Sequence, residues 1–172
     1  PKKGALSGIH PVDLSAHVID ALISRVGIEP ENVDDVIWGC VGQVGEQSAN
    51  IARNATLAAG LPESVTGVSV DRQCGSSQQA VHFAAAAVMS GQMDVVIAGG
   101  VESMSRVPMF SNMAGGDGPF GPRMMSRYPD LVNQGISAEM IAGRWSLSRA
   151  MLDELAAESQ QRAARATKDG LF

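Results

Sequence analysis

The sequence predicts a layered α/β fold, with a mostly parallel sheet covered by helices on both faces. Segments with helical periodicity alternate with short strand-like segments through the first hundred residues. The strand-like segments are apolar rather than alternating, as expected where a parallel sheet is buried on both sides. Glycines close the first two helical segments, at Gly27 and Gly60.

Taken in order, His10-Pro11-Val12-Asp13 opens a helix in which Leu14, Val18, Leu22 and Val26 recur every four residues until Gly27. Val33 to Gly39 follows as a strand, and Ser48 to Ala59 as a second helix closed by Gly60. Thr66 to Asp71 is short, rich in valine and ends in polar residues, like a buried strand leaving a sheet. The next helix begins near Cys74. Between Ala80 and Met89 its only polar residue is His82, so it is expected to be buried on every side. Asp94 to Ala98 reads as a strand ending in Gly99-Gly100.

Past Ser105 the character changes. Pro108 to Pro129 holds four prolines and four glycines, and Met104, Met109, Met113, Met124 and Met125 cluster in and beside it. Regular structure is not expected there, and residues 105–136 read as an irregular excursion that either contacts substrate or another subunit, or is merely an exposed loop. Structure resumes at Ser137. A last helix from about Ser148 to Lys168 carries Asp153 and Glu154 near its start and Arg162, Arg165 and Lys168 near its end, matching the helix dipole; it reads as amphipathic scaffold.

Composition narrows the function classes. The 172 residues suffice for one sizeable core, and 45% apolar with 4% aromatic residues implies packing by Ala, Val, Leu and Met rather than rings. A net charge of -5 without any Lys/Arg run argues against nucleic acid or an anionic membrane as main partner. No apolar stretch approaches the ~20 residues that span a bilayer. Two cysteines form no disulfide framework, which fits a reducing compartment such as the cytoplasm.

One of those cysteines carries the chemistry. Cys74 lies in Val70-Asp71-Arg72-Gln73-Cys74-Gly75-Ser76-Ser77-Gln78-Gln79-Ala80, between a strand and an apolar helix. A cysteine at a helix mouth meets unpaired amides and the positive end of the dipole, both of which favour thiolate. Gly75 and two serines allow a tight turn and leave room for an acyl group. Against this stands the ordinary fate of a free cysteine, which is burial without reactivity.

The alternatives are weaker. Gly39-Cys40-Val41-Gly42-Gln43-Val44-Gly45 has the position of a dinucleotide-binding loop, but its glycine spacing is wrong and no acidic residue is placed to read a ribose. Cys40, with no paired cysteine or adjacent cation, suits a structural or pocket-lining role. His82 is eight residues from Cys74, about 12 Å along one helix, too far to act as its base. His10 and His17 show no metal-ligand spacing, and no metal is implied.

Gln73-Cys74-Gly75-Ser76-Ser77-Gln78-Gln79-Ala80 resembles the active-site segment of the thiolases, acyl-CoA acyltransferases that carry the acyl group on this cysteine. Ala98-Gly99-Gly100-Val101-Glu102-Ser103-Met104-Ser105 resembles the second amino-terminal signature of that family, at the family's separation. Leu57-Ala58-Ala59-Gly60-Leu61-Pro62 and Gly135-Ile136-Ser137-Ala138-Glu139 also stand where thiolases carry such segments, and Asp71 replaces the Asn or Ser common in the first motif.

The resemblance implies the amino-terminal domain of a thiolase, with Cys74 as nucleophile and coenzyme A as a substrate rather than a tightly bound cofactor. It implies acyl-CoA as partner and a homodimer or homotetramer as assembly. Thiolases take their histidine base and second cysteine from a carboxyl-terminal half, to which no residue here maps. They also place a strand before the stretch resembling Gly4-Ala5-Leu6-Ser7-Gly8, central in the sheet, so a hole in the core is expected. The resemblance therefore implies a piece of a longer protein, or an incomplete one. Asn133-Gln134 before Gly135 falls in the region that receives coenzyme A, where short-chain biosynthetic members carry His-Met; longer or bulkier acyl chains are then admitted. A ketoacyl-synthase-like condensing enzyme, and a non-catalytic acyl-CoA-binding or assembly module, are the competing readings.

Overall fold

The computed structural model describes residues 4–171, which fall into two compact units dividing after Gly118. The first unit holds α1 (Pro11–Val26), β1 (Asp35–Gly39), α2 (Ile51–Ala58), β2 (Thr66–Val70), α3 (Ser76–Met89) and β3 (Val96–Gly100). The second holds α4 (Pro122–Arg127), α5 (Gln134–Arg144) and α6 (Arg149–Lys168).

The three strands form one parallel sheet in the order β2-β1-β3. Side chains of β1 alternate between its faces. Val36 and Trp38 pack with Ile19 and Ile23 of α1, Ala52 and Ala55 of α2, and Ile97 of β3. Ile37 packs on the opposite face with Ala80 and Ala84 of α3. The predicted layering, with helices on both faces of a parallel sheet, is therefore present. β1 hydrogen-bonds directly to β3, so the expected hole is not found between those strands among the described residues. Their register is fixed by Asp34, whose Oδ2 accepts the amides of Asp94 at 2.7 Å and Val95 at 2.9 Å. These donors, Val95 above all, hold its carboxyl below the usual carboxylate range.

The α1 boundaries follow the sequence signals: His10 Nδ1 accepts the Val12 amide at 3.2 Å, Pro11 is the first helical residue, and Gly27 closes the helix at φ 69°. Its buried face differs from the predicted one. Ala16, Ile19 and Ile23 face the sheet, while Val18, Leu22 and Val26 are exposed. A four-residue repeat gains about 40° per step on a 3.6-residue helix, so the Leu14-to-Val26 stripe winds away from any flat partner.

Three other expectations change. The second helix starts at Ile51 rather than Ser48, because Ala49 and Asn50 take left-handed conformations at φ 55° and 59°. β2 is not buried and lies at the edge of the sheet, with β1 as its only strand neighbour among the described residues. Only one face of α3 meets the sheet, through Ser76, Ala80 and Ala84; Val81, Phe83, Val88 and Met89 are exposed.

In the second unit, regular structure enters the stretch expected to be irregular. α4 forms with Pro122 in its first turn, where the missing amide costs nothing, and α5 begins at Gln134. α6 runs from Arg149 with Ser148 as its cap, close to the predicted limits. No helix among the described residues is long and apolar enough to cross a membrane.

Candidate active site

The carboxyl ends of β1 and β3 carry glycines that let the start of α3 lie on the sheet. A Cβ on Gly39 would come 2.4 Å from the Ser77 amide nitrogen, and one on Gly100 would come 2.1 Å from Ser77 Oγ. Gly99, facing the other way, makes room for the Trp38 ring. The seat of α3 is thus written into two glycines, Gly39 and Gly100, at two strand ends.

Between β2 and α3 the chain makes a tight turn that presents Cys74. Gln73, not Gly75, takes the left-handed conformation, at φ 48°. That conformation costs a non-glycine residue about 1–3 kcal/mol and persists only where neighbours enforce it. Here the Gln73 amide donates to Asp71 Oδ1 at 2.8 Å, and Ser76 Oγ donates to the Gln73 carbonyl at 2.6 Å while accepting the Arg72 amide at 2.9 Å. The Arg72 guanidinium bonds Gln79 one turn into the helix.

Cys74 stands two residues before the first residue of α3 and is exposed. The amides of Gly75 and Ser76 turn back to the carbonyls of Arg72 and Gln73, each at 3.0 Å, so they are not open to a ligand as the sequence reading supposed. Cys74 forms an isolated parallel backbone bridge with Arg72 across this turn. An exposed sulfur on a constrained turn at the mouth of a helix can take an acyl group.

Cys40 is the opposite case. It is 1% exposed, and Gln47 Nε2 approaches its sulfur at 3.4 Å. Burial first, and then the charges of Glu102 and Asp71, push its thiol up to about 12. Its placement agrees with a structural role.

The second signature acts through a residue the sequence did not single out. Glu102 accepts the Val41 amide at 2.8 Å, the Gly42 amide at 3.2 Å and Gln47 Nε2 at 2.9 Å. Gln47 is fully buried; its Nε2 also donates to the Gly42 carbonyl at 2.9 Å, and its Oε1 accepts the Ser103 amide at 2.7 Å. Next to it, Glu46 forms a two-point ion pair with Arg106, whose guanidinium holds the Glu46 carboxyl below its usual range. Gln47 lies two residues beyond the glycine-rich segment Gly39 to Gly45, and nothing local in the sequence marks it.

The remaining predicted residues occupy ordinary places. His10 caps α1, with Nε2 3.9 Å from Glu46, and His17 and His82 are exposed. Asn133 caps α5 in the second unit, its Oδ1 accepting the Ile136 amide at 3.1 Å, and Gln134 is the first residue of that helix. Among the described residues no cluster of His, Cys, Asp or Glu could hold a metal ion.

The family described as the thiolase N-terminal domain matches residues 1–172. The chain belongs to the thiolase family. It is 48% identical to a steroid 3-ketoacyl-CoA thiolase, FadA6, of Mycobacterium tuberculosis, over 98% of this chain and 44% of that protein. It is 43% identical to a 3-ketoacyl-CoA thiolase of Photobacterium profundum and 45% identical to one of Serratia proteamaculans, each over 99% of this chain and 43% of the relative. This thiolase domain therefore spans less than half the length of the curated relatives it matches.

Proposed function

We propose that this domain supplies the acyl-carrying nucleophile for thiolytic cleavage of 3-oxoacyl-CoA, and for the reverse condensation, with Cys74 as the residue that is acylated. The observation that carries the reading is the exposed Cys74 sulfur on the enforced turn at the start of α3. In the forward direction the thiolate attacks the C3 carbonyl carbon and the carbonyl pair moves to oxygen, for which we assign the Cys74 backbone N–H as a donor. Collapse breaks the bond between C2 and C3, and C2 takes a proton as acetyl-CoA leaves. Coenzyme A thiolate then attacks the acyl-cysteine and restores the Cys74 thiolate. The names of the relatives favour this chemistry over that of a condensing synthase.

The substrates we propose carry acyl groups larger than acetoacetyl. The 48% identical relative is named for a steroid 3-ketoacyl-CoA, and Asn133-Gln134 replaces the His-Met of short-chain members. Asn133 and Gln134 are placed with the coenzyme A-binding region in this reading. We also place the enzyme in a homodimer or homotetramer, supported by the exposed edge strand β2; light scattering checks this, and a stable micromolar monomer would contradict it.

The test follows 3-oxoacyl-CoA absorbance with added coenzyme A, in the thiolase that carries this domain, using acetoacetyl-CoA and a long-chain 3-oxoacyl-CoA. Cys74→Ser should lose most turnover, and mass spectrometry of the wild type should find the acyl group on the Cys74 peptide. An acyl group on Cys40, or a domain that binds acyl-CoA without ever being acylated, would refute the assignment.

A further inference from the structure

We propose that Gln47 and Glu102 form a positioning clamp for the nucleophile turn. This rests on Cys74 being the nucleophile, and assigns work to two residues that have no hydrogen bond to that cysteine.

The connection runs through hydrogen bonds. Glu102, at the end of β3, grips the amides of Val41 and Gly42, in the loop that leaves β1. Gln47 closes the grip from beneath, joining the Gly42 carbonyl, the Glu102 carboxylate and the Ser103 amide. The gripped loop is itself bonded to the strand that feeds the nucleophile: the Cys40 amide donates to the Val70 carbonyl at 3.0 Å, and Val70 is the last residue of β2 before the turn. On the other side the Val101 amide donates to the Gly39 carbonyl at 2.9 Å, beside the point where Gly39 meets Ser77. The clamp therefore fixes the origin of the turn and the seat of its helix together.

Its chemistry suits that work. Gln47 is an amide with no exposed surface whose oxygen and nitrogen are both engaged, so it holds one orientation. A carboxylate opposite it accepts four N–H contacts, which are stronger than those of a neutral acceptor. Replacing Glu102 by Gln keeps the shape and turns one acceptor into a donor facing other donors. The loop then moves away from the Val70 carbonyl, and Cys40 is uncovered.

The experiment compares wild type, Glu102→Gln, Gln47→Glu and a control, Glu63→Gln, an exposed residue whose side chain holds none of this network, in the thiolase that carries this domain. Iodoacetamide labelling of Cys74 and Cys40, read by peptide mapping, is measured well below each melting midpoint, beside kcat and KM. Both clamp variants should lower kcat about tenfold or more with KM for acyl-CoA changed less than about threefold, since misplacement by about 1 Å costs up to ~100-fold. In both, Cys40 labelling should rise several-fold while Cys74 labelling slows; general destabilisation also exposes Cys40 but does not slow the already exposed Cys74. Wild-type labelling of both cysteines in either folded variant would overturn the clamp. Should one variant fail to fold, the other decides. Labelling needs no turnover, so a wild type that cleaves no 3-oxoacyl-CoA refutes the functional reading and leaves this test standing.

Discussion

Gly39 and Ser77 are in backbone contact: a Cβ on the glycine would stand 2.4 Å from the serine amide nitrogen and 2.7 Å from its Cα. Because both neighbours are backbone, neither can rotate aside. Gly39→Ala should therefore push α3 off the end of β1, costing about 1–3 kcal/mol or more, as overpacking of a tight core does. Thermal unfolding gives the loss, and the same variant should label Cys74 at an altered rate. An unchanged melting midpoint would show that α3 is seated otherwise.

The two thiols predict a pH dependence with a definite sign. Cys40 is neutral in the folded domain up to about 12, whereas an ordinary thiol ionises near 9.0. The folded form thus holds its proton where the unfolded chain has lost it. Its contribution is complete below pH 9 and fades as pH rises from there toward 12. Melting midpoints measured across that window should fall, and Cys40→Ala should flatten the fall. At neutral pH the folded domain should label at Cys74 far faster than at Cys40, with denaturant abolishing the difference.

Asn50 tests the strained entry to α2. It sits at φ 59° while its Nδ2 donates to the Gly67 carbonyl at 2.8 Å and its Oδ1 accepts the Ser69 hydroxyl at 2.9 Å. Asn50→Gly loses the hydrogen bonds but relieves the backbone; Asn50→Ala loses the bonds and keeps the strain. Both should destabilise, with alanine worse by about 1 kcal/mol. Equal melting midpoints would mean that the left-handed backbone carries no cost at this position.

What could be read in advance was local. The order of strands and helices in the first unit, the start of α1 at His10-Pro11, the stop at Gly27 and the place of Cys74 all follow from residues within a few positions of one another. The face of α1 was not legible, because Leu14 to Val26 and Ala16 to Ile23 both make apolar stripes and only the sheet chooses between them. Burial of α3 was overcalled for a related reason: composition says that Phe83 and Met89 are apolar, not what covers them. Gln47 and Glu102 were illegible because they are 55 residues apart, and a glutamine in a polar loop carries no sign of its partner. α4 was hidden by the same prolines that mark a break, although Pro122 marks a beginning.

The last prediction concerns the base. Cys74 has no hydrogen bond or ion pair to any histidine among the described residues; His10 is engaged at the start of α1, and His17 and His82 lie exposed on helices. His82 is on α3, and the helix rise of about 1.5 Å per residue carries it away from the turn that holds Cys74. His10→Gln, His17→Gln and His82→Gln should therefore each leave kcat within about threefold of wild type in the thiolase that carries this domain, whereas Cys74→Ser should not. The 172-residue chain alone should still be alkylated at Cys74 yet cleave no 3-oxoacyl-CoA above background, since no histidine among the described residues is bonded to that thiol. Turnover by that chain, abolished by one of the three histidine substitutions, would identify a base that these distances do not reveal.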